Sequence, residues 1–375
     1  MTAGQKLRWV VAGGGTGGHV TPALALAERI AARGDEVLLL GTERGLEKRL
    51  VPEAGFELLT LPARQLMGKG MASRLAAAPA LAMACASAWR MLGRRRVDLV
   101  ISVGGYASVP AVVAAAARRL PIAVVEPNAV PGRANRAASR LAARIFVQFE
   151  EAAAAIAASG GGGRVRTAGI PLRAALISAF AAAPPRRAAA PPWRLLVFGG
   201  SQGATQLNDA MLEAIPALAG IPLEIFHQTG AADRDRVAAG YARAGVRAEV
   251  ATFEPEMPRR YRWADVALCR AGALTVAELC LAALPSVLVP YPHAADDHQR
   301  ANARALARVG AARVLEPATL SGTQMAGVLR ELFAGPGELS RMSAAAGKRA
   351  QPDAAERIVA ECAEIARARR QGKAA

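Results

Sequence analysis

Two glycine-rich turns constrain this chain most, because each follows an apolar run and leads into a helix-like stretch. The first is VVAGGGTGGHVTPALALA at residues 10–27, and the second is LLVFGGSQGATQLN at residues 195–208. Glycines at such a turn let backbone N–H groups and a helix N-terminus approach an anion, and phosphate is the natural guest. The spacing Gly13-x-Gly15-x-x-Gly18 alone is weak evidence. Two such turns, each beginning a βα series, predict two doubly wound α/β domains with ligands in the cleft between them.

Length and composition agree with two folded domains. A chain of 375 residues, 53% hydrophobic and 21% charged, is too long for one ordinary core. The longest apolar stretch, residues 75–89, is broken by Pro79 and is too short to span a membrane, and the N-terminus lacks a signal-peptide pattern. The four cysteines form no CxxC pair, which argues against a zinc ribbon or a disulfide framework. We therefore expect a cytoplasmic protein without a transmembrane span.

A net charge of +17 favours a polyanionic partner. Aromatic residues make up only 4% of the chain, and it contains no RNA-binding signature or zinc finger. Phosphorylated substrates or an anionic membrane surface are therefore favoured, and nucleic acid is not expected as a partner.

Short apolar runs alternate with helical stretches along both halves. Parallel strands are expected at residues 8–12, 37–40, 99–103, 122–125, 145–148 and 195–198, and the segments LEIFHQTG, AEVATF, ADVALCRAG and SVLVPYP mark later strand ends. The segment AFAAAPPRRAAAPP has the composition of a linker, and residues 353–370 predict an amphipathic helix that crosses back to the first domain. The predicted boundaries are 1–178 for an N-terminal Rossmann-like domain, 179–193 for the linker, 194–350 for a C-terminal Rossmann-like domain, and 351–375 for the last helix and tail.

Polar side chains follow three strands of the first half. His19 comes directly after the first glycine loop, where an imidazole could accept a proton from a hydroxyl or simply orient the loop. GGYAS at residues 104–108 follows the next strand, and VVEPNAVPGRANR brings Glu126 and Asn128 after another. Because the carboxyl ends of parallel strands line the ligand crevice, these groups are expected to converge with His19.

The second half carries two polar segments. In CRAGALTVAELCLAALP, residues 273–275 would open a helix with Glu278 in its first turn, which is either capping chemistry or a ribose-binding acid. VPYPHAADDHQRANA contains His293 and His298, but no third residue follows at a zinc-like spacing. A loop that binds sugar hydroxyls, or a solvated loop, is therefore expected rather than a metal site. The acidic pair Asp233-x-Asp235 is expected at the surface.

These motifs resemble, in order, those of the MurG family, bacterial transferases that add N-acetylglucosamine to the undecaprenyl-pyrophosphoryl-muramyl-pentapeptide lipid of peptidoglycan synthesis. The resemblance runs from about residue 8 to residue 360 and rests on GGGTGGHVTPALALA, GGYASVPA, EPNAVPGRAN, GIPLR, FGGSQGA, CRAGALTVAEL and PYPHAADDHQRANA. It implies a GT-B fold and an inverting transfer without a metal ion or other cofactor. It further implies that UDP-GlcNAc binds the second domain and the lipid acceptor the first.

The resemblance also assigns roles to matching residues. Ser201 and the backbone at residues 273–275 would hold the pyrophosphate, Glu278 the ribose and Gln299 the GlcNAc hydroxyls, while His19 and Glu126 are the candidate catalytic bases. The expected substrate-binding set is Thr16, Gly17, Gly18, Asn128, Arg173, Ser201, Ala273, Leu274, Thr275, Val276, Ala277, Glu278 and Gln299. Where the family usually has His-Glu-Gln-Asn, this chain has Val125-Glu126-Pro127-Asn128, so two polar groups are missing there.

An undecaprenyl-linked acceptor implies peripheral attachment to the cytoplasmic face of the membrane, alongside the cell-wall and division machinery. Residues 66–96 of the first domain combine apolar and basic side chains suited to an anionic membrane surface. The alternative is an Ala-rich core helix that ends in a solvated basic turn. The residues expected in this patch are Leu75, Leu81, Met83, Trp89, Met91 and Leu92 with Arg90, Arg94, Arg95 and Arg96.

Two other enzyme classes fit part of the pattern, and a nucleic-acid-binding protein would account for the net charge alone. Another GT-B glycosyltransferase, acting on a glycolipid or small molecule, would share the donor half and differ in the acceptor half. An NAD-dependent oxidoreductase would use the first glycine loop, with Glu43 as the ribose-binding acid, but it leaves the second loop, ALTVAE and DDHQ unexplained.

Overall fold

The structure is a computed structural model that describes residues 6–42, 45–61, 71–182 and 188–372, with the backbone alone at 71–77 and 336. Contacts divide the chain into two compact units, residues 1–174 with 351–375 and residues 175–350. The strands are β1 (Arg8–Gly13), β2 (Glu36–Thr42), β3 (Leu58–Leu61), β4 (Leu99–Gly104), β5 (Ile122–Glu126), β6 (Arg144–Val147), β7 (Val165–Thr167), β8 (Trp193–Phe198), β9 (Leu223–Gln228), β10 (Ala248–Ala251), β11 (Val266–Cys269), β12 (Ser286–Leu288) and β13 (Ala312–Val314).

Helices follow most of these strands, as a doubly wound fold requires. Short 3₁₀ or π turns cover Tyr106–Ser108, Ala157–Gly161, Gly162–Arg164, Ile215–Leu218 and Ala295–Asp297. The α-helices are α1 (Gly17–Ala32), α2 (Glu47–Glu53), α3 (Met71–Arg94), α4 (Val109–Ala117), α5 (Arg133–Ser139), α6 (Glu150–Ile156), α7 (Ala174–Ala181), α8 (Thr205–Ala214), α9 (Arg234–Arg243), α10 (Met257–Trp263), α11 (Ala273–Leu281), α12 (His298–Arg308), α13 (Gly322–Ala334), α14 (Pro336–Gly347) and α15 (Ala354–Arg370).

Each unit contains one parallel sheet. Among the described residues, the first sheet has the order β3-β2-β1-β4-β5-β6-β7 and the second the order β10-β9-β8-β11-β12-β13. The strands expected from the sequence are all present. β3, β7 and β13 are additional; they are only three or four residues long and lie at sheet edges. The two doubly wound α/β domains expected from the glycine loops are therefore confirmed. The exact residue boundaries stay a prediction.

The first sheet is covered on both faces, which explains its nearly continuous apolar strands. Along β1, Trp9 and Val11 point into one buried cluster, while Val10 and Ala12 point into the other. The first cluster contains α1 and also α15, whose Ile358 is fully buried. The predicted return of the last helix to the first unit is therefore confirmed.

Two arginine contacts fix α15 to the first sheet. Arg370 donates from Nε to Oδ1 of Asp98 at 2.6 Å, and Arg144 Nε lies 2.5 Å from a carboxylate oxygen of Glu361. Asp98 also accepts from the Arg8 amide at 2.7 Å, so the helix end, β1 and β4 meet at one carboxylate. No helix of the described residues is both long enough and apolar enough to cross a bilayer.

We predict that Ile358→Ala destabilises the first unit by about 2–5 kcal/mol, because it removes buried methyl groups and leaves a cavity between α15 and the sheet. Urea unfolding measures this loss. The control Glu364→Ala lies on the exposed face of the same helix and should change stability by less than about 0.5 kcal/mol. Equal effects of the two changes would contradict the packing of α15 on this core.

Candidate active site

The first glycine loop joins β1 to α1 and is held from beneath by Glu47. Gly15 adopts a positive φ of 92°, and its amide donates to Oε2 of Glu47 at 2.9 Å. The other oxygen of Glu47 accepts from the amide and hydroxyl of Thr42, at 2.9 and 2.8 Å. One buried carboxylate therefore fastens the loop after β1 to the end of β2.

The Glu47 side chain also explains why Gly14, Gly41 and Gly45 are glycines, although none of them has a positive φ. A Cβ would lie 2.4 Å from the Glu47 side chain at Gly14, 2.6 Å at Gly41 and 2.0 Å at Gly45. Burial raises the pKa of Glu47, but the hydrogen bonds from Gly15 and Thr42 outweigh burial and hold this pKa below its ordinary value. The carboxylate is therefore charged, and a negative charge lies where a dinucleotide-binding loop would receive phosphate. Glu43, the acid expected in the oxidoreductase alternative, lies outside the described residues.

His19 is the third residue of α1 and lies next to the loop after β4. Its Nδ1 is 3.0 Å from Oγ1 of Thr16, the residue that precedes the helix, and Gly17 and Gly18 form the start of the first turn. The imidazole is partly buried against Gly104, where a Cβ would lie 3.2 Å from Cδ2 and Nε2 of His19. The expected approach of His19 to the loop that follows β4 is confirmed.

Glu126 ends β5 and is buried among N–H donors. Its carboxylate accepts from the amides of Asn128 and Gly132 and from the side chain of Asn135, each at 2.9 Å, and from Nδ2 of Asn128 at 3.4 Å. Burial raises its pKa, and these donors oppose the rise. Asn135 also packs at Gly104, 3.1 Å from a Cβ placed there. The strand ends that carry His19 and Glu126 therefore meet, but Glu126 is engaged as the anchor of its own loop.

Arg173 lies in the first unit beside α1. Its Nε donates to Oε1 of Glu28 at 2.5 Å, and Oε2 of Glu28 accepts from the Ala174 amide at 3.1 Å. This pair fixes the start of α7 to the side of α1.

The second glycine loop joins β8 to α8 and differs from the first in what holds it. Ser201 is exposed at its tip, between Gly200 and Gly203, which have φ values of 98° and 76°. Nε2 of Gln228 donates to the Gly200 carbonyl at 2.9 Å, and Oε1 of Gln228 accepts from the Glu254 amide at 2.9 Å. A neutral amide, not a carboxylate, therefore holds this loop.

A buried polar network lies between α8, β9 and α9. Asn208 donates to Oδ2 of Asp233 at 2.8 Å, and its Oδ1 is 3.0 Å from Nε2 of His227, whose Nδ1 is 2.9 Å from the Tyr241 hydroxyl. Burial lowers the pKa of His227 to about 3, so the ring is neutral. The expectation that Asp233 is a surface residue is therefore wrong, because Asp233, which directly precedes α9, is buried and receives hydrogen bonds from this interior. Asp235 is exposed, as expected.

Helix α11 begins directly after β11 and presents its N-terminus at the carboxyl end of the second sheet. Gly272 precedes the helix, and Ala273, Leu274 and Thr275 form its first turn. Val276 is buried, whereas Ala277 is partly buried. The expectation that Glu278 lies in the first turn is wrong: the helix starts at Ala273, so the sixth residue falls in the second turn.

Glu278 is partly buried beneath this helix start. The Tyr261 hydroxyl donates to its Oε2 at 2.7 Å. Burial raises the pKa of Glu278 to about 7, and the Tyr261 hydrogen bond opposes that rise. The side chain therefore changes charge near neutral pH.

Gln299 connects two strand-end loops of the second sheet. It is the second residue of α12, and its Oε1 accepts from the amides of Ala271 at 3.2 Å and Tyr291 at 2.9 Å. Within the described residues no protein group accepts from its Nε2, so Gln299 offers a donor to a ligand.

Arg270 adds positive charge at the same edge. Its guanidinium donates to the carbonyls of Pro290 at 2.9 Å and Val289 at 3.3 Å and to the Gln206 side chain at 3.5 Å. Burial lowers its pKa from a very high ordinary value, so the group stays cationic. Within the described ranges, no three His, Cys, Asp or Glu side chains lie close enough together to hold a metal ion.

Sequence reasoning missed Glu47, Gln228, Tyr261 and Arg270. Gln228 is the last residue of β9 and Arg270 directly follows β11, so their positions at strand ends are the signal that could have identified them. Glu47 and Tyr261 act on residues 32 and 17 positions away, so no local pattern marks them.

Family models match both halves of the chain. The Glycosyltransferase family 28 N-terminal domain matches residues 9–147, and the Glycosyltransferase family 28 C-terminal domain matches residues 194–358.

Curated relatives match nearly the whole chain. A UDP-N-acetylglucosamine--N-acetylmuramyl-(pentapeptide) pyrophosphoryl-undecaprenol N-acetylglucosamine transferase of Anaeromyxobacter sp. (strain K) is 44% identical over 97% of this chain and 94% of its own length. The same-named enzyme of Geobacter metallireducens is 40% identical over 95% of this chain and 98% of its own. Among solved structures, Acinetobacter baumannii MurG has a TM-score of 0.80 and 31% identity, covering 96% of this chain and 100% of that one.

We predict that Glu278→Gln gains stability relative to the parent as pH rises from 5 to 8. The raised pKa means that the folded parent binds a proton that the unfolded chain has already lost, so its stability falls through the range from about 4.5 to 7. The glutamine cannot ionise, so the unfolding free energy of Glu278→Gln should rise relative to the parent by about 2–3 kcal/mol over this range. Urea unfolding at each pH measures it.

Glu254→Gln is the matched control. Burial raises the pKa of Glu254, but hydrogen bonds from Arg260 Nε and the Glu256 amide hold this pKa below its ordinary value. Glu254 is ionised above pH 5 in both the folded and the unfolded chain. The difference in unfolding free energy between Glu254→Gln and the parent should therefore stay constant from pH 5 to 8. An equally flat difference for Glu278→Gln would contradict the burial of this carboxyl.

Proposed function

The chain belongs to glycosyltransferase family 28, within the MurG family, and we propose that it transfers N-acetylglucosamine from UDP-GlcNAc to undecaprenyl-pyrophosphoryl-MurNAc-pentapeptide in peptidoglycan synthesis. The observation that carries the proposal is the carboxyl edge of the second sheet. There the α11 N-terminus, Glu278 and the donor group of Gln299 occur together in a chain of this family. An NAD-dependent reaction does not account for the family match over both halves, and relatives that are 40–44% identical are named for this acceptor.

The proposed donor site lies on the second unit. Ser201 at the glycine-loop tip and the amides of Ala273, Leu274 and Thr275 bind the pyrophosphate, and Glu278 accepts from the ribose hydroxyls. Arg270 supports this assignment, since a cation with only neutral partners among the described residues favours a diphosphate. Gln299 donates to the sugar.

The proposed acceptor site lies on the first unit, with His19 as the base. The acceptor 4-hydroxyl loses its proton to the imidazole and attacks the anomeric carbon, while UDP leaves from the opposite face with inversion. His19 is favoured over Glu126 because the Glu126 oxygens already accept four N–H groups. Charge on the departing UDP is stabilised by the α11 N-terminus and Arg270, so the proposed transfer uses no metal ion.

We expect His19→Ala to lower kcat about 10²- to 10⁴-fold, because a general base is lost, while the affinity for UDP-GlcNAc is unchanged. Transfer of labelled GlcNAc to the lipid acceptor in EDTA measures turnover, and calorimetry measures donor binding. Glu126→Gln is assayed in parallel. Wild-type turnover in His19→Ala would assign the base to another residue, and no transfer by the parent protein would refute the proposed activity.

We further propose that α3 and α4 of the first unit attach the enzyme to the cytoplasmic face of the membrane. Met83 is 60% and Trp89 45% exposed, and the Arg118 guanidinium lies 4.0 Å above the Trp89 ring. Val113 of α4 is also exposed. These groups combine apolar and cationic character, which suits an anionic membrane surface.

The described residues correct part of the expected patch. Leu92 is not a patch residue, since Ala84, Ala88 and Leu92 recur at helical spacing on the buried face of α3. Leu81 and Met91 are partly buried, and Arg95 pairs with Glu57. Residue 66 and the Leu75 side chain lie outside the described residues. Partners in the cell-wall and division machinery stay a prediction.

We expect Arg90→Ser with Arg94→Ser to weaken binding to phosphatidylglycerol vesicles by about 2 kcal/mol, since each basic group near an anionic surface contributes roughly 1 kcal/mol. Co-sedimentation at low and high salt measures binding. The matched control is Arg243→Ser with Arg259→Ser, which removes two exposed cations from the second unit. Equal losses in both double variants would refute a patch on α3.

A further inference from the structure

Tyr261 is a buried tyrosine whose hydroxyl meets the proposed ribose acid. It lies in α10, is 1% exposed, and donates to Oε2 of Glu278 at 2.7 Å. A buried phenol needs a hydrogen-bond partner, and here the partner is a side chain from the next helix. Tyr261 has no part in the transfer chemistry proposed above.

The ring of Tyr261 is itself fixed by the strand that leads into the second glycine loop. Phe198 ends β8, and its ring meets that of Tyr261 edge-on, with centroids 5.9 Å apart and an interplanar angle of 62°. Tyr261 therefore packs against the start of one donor-binding segment and hydrogen-bonds to another. The Phe198 contact therefore fixes the direction from which the hydroxyl reaches Glu278.

The two oxygens of Glu278 have different surroundings. Oε2 receives the Tyr261 hydroxyl, whereas no described residue donates to Oε1. The last torsion of a glutamate is broad, so an unpartnered carboxylate would sample many orientations. The phenol hydrogen bond restricts that torsion and leaves one oxygen for a ligand.

We propose that Tyr261 is a positioning residue for donor binding, which holds Oε2 of Glu278 so that Oε1 faces a vicinal diol. The inference rests on the proposed function, because the diol is the ribose of a uridine diphosphate sugar. Tyr261 touches neither substrate nor reacting atoms in this arrangement. Its effect reaches the ligand through Glu278 alone.

The test compares Tyr261→Phe with Tyr241→Phe in the full chain. Tyr241 is a second buried tyrosine of the same unit whose hydroxyl bonds to His227, so both variants lose one interior hydroxyl. Calorimetry gives Kd for UDP-GlcNAc and for its 2′-deoxyribose analogue. We expect Tyr261→Phe to weaken UDP-GlcNAc binding about 5- to 10-fold and the deoxy analogue about 2-fold or less, with no change in Tyr241→Phe.

A double variant separates positioning from general destabilisation. In a Glu278→Ala background, Tyr261→Phe should leave Kd unchanged, because the residue through which it acts is absent. Equal weakening of both ligands by Tyr261→Phe, or a further loss in the Glu278→Ala background, would overturn the inference.

The same variants distinguish a failure of this inference from a failure of the proposed function. Unchanged donor affinity in Glu278→Ala would refute the ribose assignment itself. A loss in Glu278→Ala without a loss in Tyr261→Phe would leave the ribose site standing and overturn only the role of Tyr261.

Discussion

The strand-end loops depend on single side chains that satisfy two backbone amides at once. Amides beyond the last ladder bond of a parallel strand have no sheet partner and must find another acceptor. Glu47 takes those of Gly15 and Thr42, Glu126 takes those of Asn128 and Gly132, and Gln299 takes those of Ala271 and Tyr291. Such a contact ties together segments that the sheet alone would leave independent. The shape of each ligand-facing edge follows from these few acceptors.

The choice of acceptor sets the electrostatics of each edge. In the first unit the acceptors are buried carboxylates, so the glycine loop after β1 has a negative charge beneath it. In the second unit they are the neutral side-chain amides of Gln228, which accepts from Glu254, and Gln299, with the Arg270 guanidinium nearby. Two loops of similar sequence therefore differ in their suitability for a diphosphate. Glycine spacing alone does not distinguish them.

The sequence was sufficient for the elements and for residues that directly follow a strand. The glycine loops, His19, Glu126 and the α11 start were all found from local pattern, because strand ends of a parallel sheet converge by topology. Interactions between segments that are distant in the sequence could not be predicted from local pattern. The packing of helices decides the burial of Asp233, the hydrogen bonds of Glu47 and the contact of the Tyr261 hydroxyl. Leu92 was wrongly assigned to the exposed patch because the assignment used the composition of α3 and not the helical spacing of its buried residues.

The position of α15 determines the order in which the units can mature during synthesis. The first sheet lacks one of its covering helices until residues 354–370 have been translated, although all its strands precede residue 168. The second unit, residues 175–350, is complete before that helix exists. Because domains fold as they emerge from the ribosome, the unit that is encoded in the middle can reach its native packing first. The amino-terminal unit exposes the apolar surface that α15 later covers until the chain is nearly finished. During this period of synthesis the unit needs protection from aggregation.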